Sequence, residues 1–579
     1  MARRLVRLLL AGVFSVAGLA VGLPVPQGPA AAAASGIPQP PPVYMVRVYF
    51  ASLAQRDQLA SELDAQEAST AGGYVTAIVD EAQLQALAAR GYRVEVDQGQ
   101  TDLLNHPLRR LQSQAGGIPG FPCYRTVEET YASLSALAAI YPNLASWHSV
   151  GQSWLKVTSG GTAGYDLNVL EITNKARPGP KPTFFLMAAI HAREYSTAEL
   201  ATRFAEYLVA QYGRDPDVRW LLDNFKVVVM PQANPDGRKL AEQGLYQRKN
   251  VNNTNGGACQ ANIFNQFGTD LNRNSSFQWG PIGSSSDPCD QVYHGPSALS
   301  EPETQAIQAE MAALFPAQRG PALTDTVPIT ASGIFITLHS FGELDLFPWG
   351  FTSDPAPNGT ALQTLGRKFG YFNHYTVCQA PVSGCLYSTS GTTDDWAYGQ
   401  LGVASYTFEL GTQFFESCDS FENTIWPDNL SALLYAFKAA RLPYASPAGP
   451  ETVQVAASPS TIKPGVPFTL TALADDTRYA SGGWGDQPVH NIVAARYSVD
   501  SPSWITGTTT YSLTAAGGVF NAPAQSVLAV VNTAGWARGD HLVLVESEDA
   551  AGSWGVPSAT RVNIIGPLDH HAYLPVAAR

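Results

Sequence analysis

Between Cys123 and about Pro443 the chain alternates short apolar runs with amphipathic stretches: PTFFLMAAI, then the helical STAELATRFAEYLVAQYG, then FKVVVM, and later SGIFITLH and VASYTFEL. Continuous apolar runs of this length suit strands buried on both faces, and the helices between them suit crossovers from one strand to the next. The alternation predicts an α/β fold with a mixed or largely parallel central sheet and helices on both faces. In such sheets ligands gather at the carboxyl ends of the strands, so the residues just after these runs are the candidates for chemistry.

At 579 residues the chain exceeds what one hydrophobic core holds, and its punctuation suggests the division. Arg3, Arg4 and Arg7 precede an uncharged stretch from Leu8 to Leu23 and the small-residue run AAAAASG, which predicts a signal peptide over 1–35 and a secreted, extracellular protein. From Val43, VYMVRVYF reads as a strand, the stretch after it as a helix, and GGYVTAIVD, EAQLQALAARG and YRVEV as strand, helix and strand. This small α+β unit leads into LNHPLRRLQSQAGGIPGFP, so 36–115 is expected to be a pro-segment ending near a cleavage site at Arg109-Arg110, with an activating protease as a partner. The catalytic domain is placed at 116–445. Beyond SPAGPETV, segments such as FTLTALAD, IVAARYSVD and HLVLVESEDA predict a β-sandwich of the immunoglobulin or fibronectin kind over 446–566, followed by a tail at 567–579.

A net charge of -13 argues against a nucleic-acid partner, and no later segment predicts a membrane span. Six cysteines in an exported chain favour disulfides. Sequence does not choose among the possible connectivities; the pairing taken as the expectation is Cys123–Cys418, Cys259–Cys289 and Cys378–Cys385.

His191-Ala192-Arg193-Glu194 directly follows an apolar run and precedes a helix. Alone, H-x-x-E is a weak signal. Catalytic zinc commonly takes three protein ligands and keeps one open position, and two histidines with a glutamate form one such set. His339, which closes the run GIFITL, is the best third ligand. Glu409 closes VASYTFEL, where a carboxylate is costly to bury unless it has a partner or a task.

The segments HAREYST, NPDG, QRKN, DLNRN, HSFGE, DDWAYGQ and YTFELG occur in that order. Together, over roughly residues 120 to 443, they resemble the zinc carboxypeptidases related to carboxypeptidases A and B and to bacterial counterparts such as carboxypeptidase T. The resemblance implies one zinc ion held by His191, Glu194 and His339, with Asp270 orienting His191. It implies Glu409 as general base and Arg248 as the group that stabilises the oxyanion. Asn272 and Arg273 match the pair that grips the terminal carboxylate, Arg193 a further substrate-side arginine, and Tyr387 the tyrosine that covers bound substrate. Asp394 falls where basic-specific members carry a pocket-floor aspartate, which implies a basic or mixed preference. Phe341 stands where the pancreatic enzymes have a tyrosine, and the loop between Arg248 and Asp270 is longer than theirs. Peptide C-termini are the expected substrate and a monomer the expected state. The alternative is a same-fold amidase acting on cell-wall γ-glutamyl or other non-standard amide bonds; the Asn272-Arg273 pair and a hydrophobic wall expected near Phe408 favour ordinary peptides.

Overall fold

The computed structural model describes residues 42–69, 72–98, 101, 116–254, 259, 266–382, 385–480 and 487–565. The segment read as a leader, the Arg109-Arg110 pair and the segment read as a tail lie outside the described residues. Among the described residues, no helix is long and apolar enough to cross a membrane.

The described residues open with β1 (Val43–Tyr49), α1 (Leu53–Glu62), β2 (Asp64–Ser69), β3 (Tyr74–Asp80), α2 (Glu81–Ala89) and β4 (Val94–Val96), in a sheet of order β2-β3-β1-β4. Alternate residues of β1 and β3, Val46, Val48, Val75 and Ala77, bury against Leu59 and Leu87 of the two helices. Helix α2 starts at a reciprocal cap between Asp80 and Gln83. Strand β2 is the one element here that the sequence does not predict. DAQEAS has no apolar alternation, and it is held by antiparallel pairing to β3.

The central sheet contains β5 (Ala145–Gln152), β6 (Asp166–Ile172), β7 (Thr183–Met187), β8 (Lys226–Met230), β9 (Ile334–His339), β10 (Leu344–Phe347), β11 (Thr376–Gln379) and β12 (Ala404–Glu409), in the order β11-β10-β12-β9-β7-β8-β6-β5. Strands β12, β9, β7 and β8 run parallel to one another, whereas β10 pairs antiparallel to β12 and β6 antiparallel to β8. The sheet is mixed, as predicted. Helices α3 (Val127–Ile140), α4 (Tyr195–Gln211), α5 (Pro216–Asn224), α6 (Pro302–Leu314), α7 (Gly359–Asn373) and α8 (Trp426–Ala439) cover it. All residues of β7 and β9 are buried. Phe184, Phe185, Leu186, Phe335 and Ile336 are fully enclosed, and each such side chain contributes ~1.5–3 kcal/mol. The three expected disulfides are present, and Cys123–Cys418 ties together residues 295 apart in sequence.

The last part contains β13 (Glu451–Ser458), β14 (Thr461–Ile462), β15 (Phe468–Asp475), β16 (Ile492–Val499), β17 (Thr510–Ser512), β18 (Thr514–Ala515), β19 (Ala524–Val531), β20 (Gly539–Asp549) and β21 (Ser558–Ile564). They form two sheets, β13-β15-β19-β18 and β14-β21-β20-β16-β17, that share a core of Phe468, Leu470, Val527, Val543, Val545 and Val562. The described parts pack as one unit. Trp504 meets Trp220 of α5 and nearby Phe225 at ring centroid distances of 6.1 and 6.2 Å, while Lys438 of α8 reaches both Asp217 and Ser558.

Candidate active site

Strands β7, β9 and β12 are neighbours with their carboxyl ends on one edge. His339 ends β9 and Glu409 ends β12, opposite each other in register. Strand β7 stops at Met187, and the segment that follows delivers His191 and Glu194 just before α4 begins. The parallel strands thus bring together residues far apart in sequence, because each lies at or shortly past the carboxyl end of a buried strand.

His191 Nδ1 lies 2.8 Å from Glu194 Oε1 and 3.0 Å from His339 Nδ1, and His339 Nδ1 is 3.5 Å from Glu194 Oε2. All three residues are buried. Asp270 Oδ1 is 3.2 Å from His191 Nε2, while its Oδ2 accepts a 2.9 Å bond from Arg248 Nε. A proton on Nε2, facing the carboxylate, leaves the Nδ1 lone pair directed at Glu194 and His339.

These side chains fit a zinc ion. The donors are two imidazoles and a carboxylate, their ligand atoms lie within 4.8 Å of one another, and Glu194 Oε2 is buried with no hydrogen-bond partner. The charge balance agrees. Burial disfavours the charged forms of Glu194 and Asp270, but His191 and His339 outweigh it at Glu194, and Arg248 and His191 at Asp270, so both carboxyls are held well below the usual range. Burial pushes the His339 imidazole down, toward the neutral form a ligand needs.

Arg248, Asn272, Arg273, Tyr387, Asp394 and Glu409 line the same cleft as the three possible ligands. Desolvation and the charge of Glu194 push Glu409 well above the usual carboxylate range, while Arg248 and Arg273 pull it back. Arg273 is anchored by Nε to Gly283 O at 2.8 Å and by Nη1 to Asn272 O at 2.9 Å. Asn272 Oδ1 accepts from the backbone N–H and the hydroxyl of Thr393, which orients its amide. Asp394 Oδ2 accepts from Thr407 Oγ1 at 3.2 Å, and its Oδ1 accepts from the Asp395 N–H at 3.0 Å. Phe341 also lines the cleft.

Arg193 is already engaged. Its two terminal nitrogens donate to Asp64 of β2 at 2.6 and 2.7 Å, and its guanidinium lies over the Phe414 ring at 3.9 Å. Tyr387 donates its hydroxyl to Ala65 O at 3.1 Å, and Ala65 itself lines the cleft.

Every predicted site residue therefore lies in or against one cleft. The expected wall at Phe408 is a correction. Its ring is buried against Phe369 on the far side of β12, because successive strand residues face opposite ways and Glu409 takes the cleft side. The same alternation puts Thr407 in the cleft, a placement that the spacing from Glu409 could have given. Nothing in the sequence marked Asp64, Ala65 or Phe414.

The zinc carboxypeptidase family model matches residues 130–430. Carboxypeptidase A2 of Rattus norvegicus is 31% identical over 311 residues, which cover 52% of this chain and 66% of the rat protein; the chain thus spans just under two thirds of that relative's length. Carboxypeptidase B of Astacus astacus is 30% identical over 302 residues, 50% of this chain and 86% of the crayfish protein. Among solved structures, carboxypeptidase A from Helicoverpa armigera superposes with a TM-score of 0.55 at 23% identity, covering 70% of this chain and 98% of its own, which speaks to the fold.

Proposed function

The chain belongs to the zinc carboxypeptidase family, and from that premise we propose that it is a secreted enzyme that hydrolyses the C-terminal peptide bond of peptides and proteins. The observation that carries this reading is the gathering in one cleft of a His–Glu–His set, a further carboxylate at Glu409 and the guanidinium groups of Arg248 and Arg273. When bound by His191, Glu194 and His339, zinc supplies Lewis acidity, which polarises a carbonyl and lowers the pKa of water to about 7.

The chain's own residues do the rest. Glu409 takes the proton of the attacking water and returns it to the departing amine. Arg248, fixed by Asp270, offers its remaining N–H groups to the developing oxyanion. Arg273 and Asn272 hold the substrate's free carboxylate, a task suited to a planar guanidinium. That grip makes the enzyme an exopeptidase. Tyr387 closes over the bound residue, and Arg193 contacts the substrate side once Asp64 is gone.

The N-terminal unit acts as a pro-segment, and an activating protease cuts the linker after it. Support comes from Asp64 and Ala65, which engage Arg193 and Tyr387. The three disulfides support export.

Asp394 and Thr407 form the floor of the side-chain pocket, which favours C-terminal Lys or Arg alone or together with apolar residues. A hydrogen bond to a charged group contributes about 1.5–3 kcal/mol. In Asp394→Ser the kcat/KM for a peptide ending in Lys should fall roughly tenfold to a hundredfold, with release of Leu or Phe changed only a few-fold. Unchanged Lys release would remove Asp394 from the pocket.

A further inference from the structure

Among the described residues, one further set of side chains has the makings of a metal site. Asp476, His490 and Asp549 present ligand atoms within 4.8 Å of one another, far from the cleft in sequence and in a different part of the fold. Asp476 directly follows β15 in one sheet of the sandwich, while His490 precedes β16 and Asp549 ends β20 in the other.

Both carboxylates are buried, at 0% and 1% exposure. Asp549 Oδ1 accepts the backbone N–H groups of Ala551 and Ser553, each at 2.9 Å, but its Oδ2 is buried without a hydrogen-bond partner. That oxygen lies 3.6 Å from His490 Nδ1, which is also buried without one. Asp476 Oδ2 is 3.9 Å from the same nitrogen and accepts the His490 backbone N–H at 2.6 Å. A buried carboxylate oxygen left without a hydrogen bond is unfavourable, and a cation shared with the neutral His490 nitrogen satisfies both atoms. The nearby cations, Lys368 and Arg478, are directed at Glu451, at 3.6 and 3.2 Å. In the cleft the donor atoms lie 2.8 to 3.5 Å apart, while here the two carboxylates stand 3.6 and 3.9 Å from the His490 nitrogen.

We propose that Asp476, His490 and Asp549 bind a second divalent cation of the zinc class, which clips the two sheets of the C-terminal sandwich together. An imidazole with two carboxylates suits zinc better than calcium, which takes oxygen ligands. The His490 side chain is 37% exposed, so the set lies near the surface although its donor atoms are buried. The hydroxyl of Tyr479, three residues on, shares its proton between Pro447 O and Ala448 O in the link from the central sheet.

The test is zinc content per chain, by mass spectrometry on the full-length protein equilibrated with buffered micromolar zinc. Wild type should hold two ions, and both His490→Ala and Asp549→Asn should hold one with an unaltered circular dichroism spectrum. His339→Ala should also hold one, and the His339→Ala/His490→Ala double variant none. Added zinc should raise the Tm of metal-stripped His339→Ala but not of the double variant. Equal zinc in wild type and in folded His490→Ala overturns the proposal, whatever the cleft does. If the histidine variant does not fold, Asp549→Asn decides by the same comparison. A loss confined to His339→Ala shows a catalytic ion only and overturns the second site.

Discussion

Glu409→Gln should lower kcat/KM about a thousandfold while leaving zinc content and substrate affinity within a few-fold of wild type. The amide keeps the shape of the side chain at the end of β12 but cannot take a proton, and general base catalysis of this kind contributes about 10²–10⁴-fold. The register matters, because Glu409 sits opposite His339 across the β9–β12 pair and so faces the same pocket as the possible ligands. Steady-state kinetics on a chromogenic peptide with a free C-terminus, alongside the zinc measurement, checks it. Loss of zinc together with activity would assign Glu409 to holding the metal, and near-normal turnover would remove it from the chemistry.

The second large effect concerns the N-terminal unit. The intact chain should hydrolyse peptides at least about a hundredfold more slowly than the chain cut near Arg109-Arg110, because the fraction of molecules with an open cleft scales apparent affinity. Asp64 neutralises Arg193 through two short bonds, Ala65 caps Tyr387, and Val43, Met45 and Ile78 pack with Tyr246 and Phe414 beside the cleft. Breaking a buried ion pair by removing one partner is costly, about 3–5 kcal/mol. Asp64→Ala should therefore loosen the unit and raise the activity of the uncut protein. Limited proteolysis followed by an activity assay reads both. Equal rates before and after the cut would make the unit a constitutive part of the enzyme.

Much of the central fold was legible because its strands are buried on both faces and read as uninterrupted apolar runs, as TFFLM in β7 does. The possible ligands were legible for a related reason. His339 and Glu409 are polar residues at the ends of apolar runs, where an uncompensated charge is unfavourable, so their presence signals a task. Asp64 was not legible. It lies in DAQEAS, a polar strand held by pairing to β3, and its role arises only when β2 is brought against Arg193, 129 residues away in sequence. A wall at Phe408 does not form because strand alternation turns Phe408 and Glu409 to opposite faces of β12. The Asp476–His490–Asp549 set escaped notice because its members lie in three loops and strand ends of a sandwich whose sequence shows only alternation.

The most direct test of the account is amino-acid release by the purified, cut protein from peptides with a free C-terminus, with and without a zinc chelator. The account predicts loss of the last residue only, abolished by the chelator, restored by added zinc and blocked when the peptide's C-terminus is amidated. Release that persists without metal, or no release from any free C-terminus, would contradict it.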